Sequence, residues 1–158
     1  MVSRWSQLNE PWRLALEQAI AAYLEQDSAP IGAVIVNGQG QVVAQGANAF
    51  ASSRLAHAEL NALVALPSDA DRMSCEIYST LEPCPMCAGA IRMSQLRGVH
   101  FAAHDPSAGS AELLSANEFM REFACAVYAP QNPDLEAVIV SLVLEFRLRT
   151  GHRRWLEH

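Results

Sequence analysis

Apolar residues first recur at helical spacing between Leu8 and Gln26, where Leu16, Ala19, Ile20 and Tyr23 share a stripe and Pro11 occupies the first turn. An apolar, β-branched run from Ile31 to Val36 follows and ends at Asn37-Gly38, a strong hairpin signal. Gln41 to Ala47 alternates and reads as the return strand. Arg54 to Leu66 has helical periodicity and stops at Pro67. Cys75 to Thr80 reads as a short strand, Pro85 to Gln95 as a helix with a proline-rich entry, and Val99 to Ala103 as another strand. Beyond a loop of Gly, Ser and Pro, Ala111 to Phe119 is weakly helical, Ala124 to Tyr128 is a fifth strand, and Pro133 to Arg149 is a long final helix.

A helix, a hairpin and then alternating strands and helices predict an α/β fold: a three-layer α/β/α sandwich with one five-stranded mixed sheet. There is no internal repeat and no low-complexity tract. One domain over residues 1–155 is expected, with Leu156-Glu157-His158 reading as an expression-tag junction.

At 158 residues the chain can bury about 70% of its unfolded surface, so its core needs no disulfide staple. The longest apolar stretch, Ala137 to Leu144, is interrupted by Ser141 and falls short of the roughly 18 residues a membrane helix needs. The first ten residues carry no apolar signal core, so a cytoplasmic location is expected. All eleven basic residues are Arg, which excludes a Schiff-base lysine and a phosphate-loop lysine. A net charge of −6 disfavours non-specific nucleic-acid binding. Four Cys in such a chain suggest metal or catalytic thiols rather than bridges.

Two fragments carry chemistry. His57-Ala58-Glu59 lies in one predicted helix and Pro83-Cys84-Pro85-Met86-Cys87 opens another. Two thiols three residues apart at a helix N-terminus can face one point, and the helix dipole favours their thiolate forms. With one imidazole they make three good zinc ligands, His57, Cys84 and Cys87. Three ligands and an open fourth position mark a catalytic zinc, which lowers the pKa of a bound water to about 7. Glu59, beside one ligand, can carry a proton from that water. Two other readings stand beside this one. Cys84 and Cys87 could form a redox pair, or the zinc could be structural, with His100 or His104 closing the site. Cys75 and Cys125 read as small buried hydrophobes, Met86 and Met93 as packing residues, and Asn48 as a turn residue unless it meets a ligand.

The spacing of His-x-Glu and Pro-Cys-x-x-Cys is the signature of zinc nucleobase deaminases. With residues 29–36, Asn48 and the stretch from Thr80 to Ile91, the chain resembles the cytidine deaminase-like superfamily over Trp12 to Asp105, in particular bacterial tRNA adenosine deaminases and guanine deaminases. The resemblance implies one zinc per chain, attack of activated water on the carbon bearing an exocyclic amine, and proton transfer by Glu59. It also implies that Asn48 binds the base, that the backbone at Ala58 and Leu81–Pro83 lines the reacting edge, and that the metal-bearing helices pack across a homodimer interface. His104 would stand near the pocket mouth, and Glu112 is similar in place to an acidic residue that reads the base in guanine deaminases.

Phe146-Arg147-Leu148-Arg149 is similar to the basic C-terminal helix of the tRNA enzymes, and Arg153 and Arg154 extend the cluster. The chain departs from those enzymes at His104-Asp105-Pro106-Ser107-Ala108-Gly109, where it has no lysine. Three expectations follow, in order: a deaminase of a small base or nucleoside, guanine-like first; a tRNA wobble-adenosine deaminase; and a non-catalytic zinc-binding protein.

Overall fold

The structure, a computed structural model, describes residues 8–122 and 125–151. Its centre is a single mixed sheet. Strands β1 (Gly32–Val36) and β2 (Val42–Ala47) pair antiparallel, and β1 also pairs antiparallel with β3 (Glu76–Ser79). Strands β4 (Gly98–Phe101) and β5 (Ala126–Tyr128) continue parallel to β3, giving the order β2-β1-β3-β4-β5.

Alternation along β1 sends Ala33 and Ile35 to one face and Val34 and Val36 to the other. The first face packs on helices α2 (Ala58–Ala65) and α3 (Pro85–Met93), through Ala58, Ala62, Ala88 and Ile91. The second face is covered by α1 (Glu10–Glu25) and by α5 (Pro133–Thr150), whose Leu135, Ile139 and Val143 meet Leu16 and Ala19 of α1. The expected three-layer sandwich with a five-stranded mixed sheet is therefore present.

Several boundaries differ from the sequence expectation, each for a local reason. The β1–β2 hairpin has no two-residue turn at Asn37-Gly38. Residues 37–41 form a longer loop in which Asn37 Oδ1 accepts from the backbone N–H of Gln39 and Gln41, both at 3.0 Å, and the left-handed position is Gly40, at φ +80°. Helix α2 begins at Ala58 rather than Arg54, because residues 49–56 close a turn through Ala49 N–H to Ala56 O at 2.9 Å, with Ser52 Oγ on Ala49 O. The weakly helical stretch after Ala111 splits into a 3₁₀ turn, Ala111–Ser115, and a short helix α4, Glu118–Glu122. Cys75 and Cys125 sit just before β3 and β5 rather than in them.

Two glycines set how closely helices approach the sheet. A Cβ at Gly32 would fall on Ala15 O and Ala19 N of α1, and one at Gly46 on Ala58 O and Ala62 N of α2. Backbone meets backbone at both places, so no rotamer change can relieve the contact. Gly46 thereby fixes the height of the turn that carries residues 57–59. Gly46→Ala should push α2 off β2 and cost about 1–3 kcal/mol or more, the range for overpacking. Urea unfolding and zinc content measured together test this: stability and metal should fall in the same variant.

Candidate active site

The N-termini of α2 and α3 converge on one point, at the end of β3. His57 is the residue before α2 and Cys84 the residue before α3, with Cys87 one turn further along. The Ala58 N–H donates to Asn48 Oδ1 at 2.7 Å, which pins the start of α2 to the end of β2. Pro85 opens α3, where its missing N–H removes no helical bond.

His57 Nδ1 lies 3.6 Å from Cys84 Sγ and 3.6 Å from Cys87 Sγ. Zinc–sulfur and zinc–nitrogen bonds of about 2.3 Å and 2.05 Å at a tetrahedral angle require an N···S separation of about 3.6 Å. The three donors, all within 4.8 Å of one another, thus fit a tetrahedral zinc. They are the only such group of three among the described residues. Neither other candidate ligand joins them. His100 Nε2 is 3.0 Å from Glu76 Oε2, its ring stacked between Tyr78 and Tyr128, and His104 Nδ1 is 3.0 Å from Glu82 Oε2.

The donors perturb one another strongly. The Cys84 thiol is lowered to about 4, chiefly by its hydrogen bond with Cys87 and also by His57. The same hydrogen bond pushes the Cys87 thiol up, with burial and the nearby Glu59 carboxyl adding to the effect. His57 is raised by its hydrogen bond to Cys84. A soft, electron-rich donor set of this kind suits zinc.

Glu59 projects from the first turn of α2 and is 3% exposed. Ser79 Oγ donates to its Oε1 at 3.0 Å and Cys87 Sγ to its Oε2 at 3.4 Å. Burial raises its pKa, and the Ser79 hydrogen bond offsets part of that rise. A buried carboxyl beside a metal cradle, oriented by a serine hydroxyl, is suited to accepting and returning a proton.

A cavity of about 300 Å³ opens over these groups, at the lower end of the range for small-molecule sites. His57, Glu59 and Cys84 line it, with Leu81 and Ile31 beside them. The turn after β2 contributes Phe50 and Arg54, and α5 contributes Val143, Phe146 and Arg147. Arg147 Nη2 is 3.7 Å from Asp105 Oδ2, an ion pair that joins α5 to the loop after β4.

The other expected site residues are placed as follows. Leu81 lines the cavity. Asn48 is fully buried and is no surface turn residue. Its Oδ1 is taken by Ala58, while its Nδ2 has no partner. The backbone N–H of Ala58 is engaged by Asn48, and Ala58 is not part of the cavity lining. His104 is exposed on the rim, bound to Glu82, and outside the lining. Glu112 is exposed on the 3₁₀ turn, also outside the lining, because that turn packs through Ala111 and Leu114 and points Glu112 to solvent. Sequence reasoning missed Phe50, Arg54 and the α5 wall. The spacing of Leu135, Ile139, Val143 and Phe146 marks the buried face of α5 without saying what it covers.

The sequence model of the cytidine and deoxycytidylate deaminase zinc-binding region matches residues 6–103. A tRNA-specific adenosine deaminase of Agrobacterium fabrum is 39% identical over 112 residues, 63% of this chain and 67% of that protein. A solved structure from work on A-to-I editing by tRNA:A34 deaminases superposes with a TM-score of 0.71 at 32% identity, over 82% of this chain and 97% of that one. The guanine deaminase of Bacillus subtilis superposes with a TM-score of 0.56 at 31% identity, over 62% and 66% of the two chains. The chain belongs to the cytidine and deoxycytidylate deaminase family, a family of zinc-dependent hydrolytic enzymes. Membership sets aside both the redox reading of Cys84 and Cys87 and the non-catalytic zinc protein. No helix among the described residues is long and apolar enough to cross a membrane.

Cys84→Ala removes one of the three mutually adjacent donors. Zinc, measured by metal analysis, should fall from about one per chain to near zero. The melting temperature should fall with it, within the ceiling of about 10–16 kcal/mol set by structural zinc sites.

Proposed function

We propose that the protein hydrolyses the exocyclic C–N bond of a small aminated nucleobase compound, forming C=O and releasing ammonia. The observation that carries this is Glu59, buried at the floor of a 300 Å³ cavity beside the His57, Cys84 and Cys87 donors. Zinc held by those donors supplies Lewis-acid activation of water near neutral pH. Glu59 would accept one proton from that water and pass it to the ring nitrogen as the C–O bond forms, then take the second proton from the new C–OH and hand it to the amine, so that the C–N bond breaks, C=O forms and ammonia leaves. Ser79 keeps the carboxyl oriented through both transfers. The unpartnered Nδ2 of Asn48 offers a donor to an acceptor on the base, and Leu81 and Ile31 exclude water beside the ring.

The size of the cavity and the charges at its mouth favour a small substrate over a folded tRNA. Tight tRNA binding needs several free cations for phosphates. Of the described arginines on this side, Arg147 is paired with Asp105 and Arg149 with Asp27 at 2.9 Å, which leaves Arg54 as the single cavity-lining arginine without a carboxylate partner. Arg153 and Arg154 lie outside the described residues. A guanine-like ring is the first candidate, supported by the likeness to the Bacillus subtilis guanine deaminase. The second reading, wobble-adenosine deamination, is supported by the Agrobacterium fabrum relative and by the 0.71 superposition.

Ammonia release from guanine, adenine, cytosine, their nucleosides and unmodified arginine tRNA separates the readings. Turnover of tRNA alone would overturn the small-substrate proposal. Glu59→Ala should keep its zinc and its fold and lose about 10²- to 10⁴-fold in turnover with the best of these compounds. A variant with native ammonia release would remove Glu59 from its role.

We also propose a homodimer joined through the face that carries α2 and α3. Val64 and Met93 on that face are 87% and 67% exposed, and Gly89 leaves open space above α3. Four free thiols suit a reducing, cytoplasmic setting. Light scattering should return twice the 17.2 kDa chain mass at micromolar concentration, and a monomeric mass would count against the dimer.

A further inference from the structure

The cavity mouth holds one charge that the chemistry above does not use. Arg54 is exposed, lines the cavity, and lies three residues before His57. Its turn is well fixed. Ala49 and Ala56 close it by a backbone hydrogen bond of 2.9 Å, Leu55 N–H donates to Ser53 Oγ at 3.1 Å, and Phe50 N–H donates to Ser28 Oγ at 3.2 Å.

Among the described residues Arg54 has no carboxylate partner, whereas Arg147, the other arginine lining the cavity, is paired with Asp105. The carboxylates facing the mouth are already engaged. Asp105 Oδ1 accepts from Ser107 N–H at 2.9 Å and Ser107 Oγ at 2.8 Å. Glu82 accepts from the N–H groups of Asp105 and Ala111 and contacts His104. Of the two arginines lining the cavity, Arg54 is therefore the one without a carboxylate partner, and it stands on a turn closed by backbone hydrogen bonds at the edge of the cavity that holds Glu59.

We propose that Arg54 binds the phosphate of a nucleoside monophosphate, making a nucleotide the preferred small substrate. The inference rests on the deaminase reading. With the amine at the buried floor beside Glu59, the ring lies against Leu81 and Ile31 and the sugar points outward. A cavity of about 300 Å³ takes the base and its sugar, and leaves a 5′-phosphate at the rim where Arg54 stands. A guanidinium presents planar donors that match phosphate oxygens in pairs.

The test uses zinc-loaded Glu59→Ala protein, which binds substrate without turning it over. Calorimetric titration compares guanosine, adenosine and cytidine with their 5′-monophosphates. For at least one base the monophosphate should bind about 10- to 100-fold tighter than its nucleoside, the gain expected of a hydrogen bond to a charged group. Arg54→Gln should erase that preference, and Arg54→Lys should restore most of it, as a merely structural residue would not. Equal affinity for nucleoside and monophosphate, a preference unmoved by Arg54→Gln, or no measurable monophosphate binding each overturns the proposal. So does binding of a short single-stranded RNA where the monophosphate fails, which would assign the Arg54 charge to a nucleic-acid backbone. Ammonia release by the native protein tests the deaminase reading separately. Nucleotide binding without ammonia from any compound sinks that reading and leaves the phosphate site standing. Ammonia release without a nucleotide preference does the reverse.

Discussion

The convergence of two helix N-termini is the constraint on which the rest of the molecule depends. Zinc chemistry requires one imidazole and two thiols within a few ångströms, yet the sequence separates His57 from Cys84 by 27 residues. The sheet brings them together. The connection from β1 and β2 through α2 to β3, and then into α3, places both helix starts over the same strand ends. Gly46 permits backbone contact between β2 and α2, and the Asn48 side chain fastens the first N–H of α2. Both helices also direct their positive ends at the site, which favours the thiolate of Cys84, while Cys87 keeps its proton toward Glu59.

The same convergence settles the environment of Glu59. Because it sits in the first turn of α2, its carboxyl is carried beneath the donors and out of water. Burial makes the neutral acid easier to reach than it would be at the surface, and Ser79 keeps the carboxylate from becoming prohibitively costly. A group poised between the two forms can serve both as base and as acid within one turnover.

Much of the fold was legible in the sequence, and for a clear reason. The strands of this sheet are short apolar runs bounded by Gly, Asn and Pro, and the helices start near proline or polar residues, so local signals agree with the final structure. The donor set and Glu59 were legible because the chemistry demands residue types at fixed spacing. The start of α2 was not, because Leu55 continues the helical stripe while Ser52 and Ser53 divert the local backbone into turns. The cavity walls were equally hidden. Phe146 and Arg147 reach the site only through the packing of α5 on α1, some 60 residues along the chain from Cys84, and no local pattern encodes that meeting. Glu112 shows the converse: the right residue type near the right place, turned to solvent by the packing of its own 3₁₀ turn.

The β5 end of the sheet is built differently from the metal end. All three residues of β5 are exposed, and the strand is held by a three-residue ladder to β4 and by the Tyr128 ring stacked on His100. Beside it, α4 is tethered by the buried Arg92 of α3, whose guanidinium donates to the carbonyls of Phe119 and Met120. Opening this edge therefore breaks few contacts, whereas opening β1 and β3 breaks the core. In hydrogen exchange the amides of β5 and α4 should therefore trade with solvent through local openings, while those of the buried β1 and of β3 should wait for global unfolding. Stability thus grades across the sheet, from a lightly held edge at β5 to a core at β1 and β3 that opens only with the whole fold.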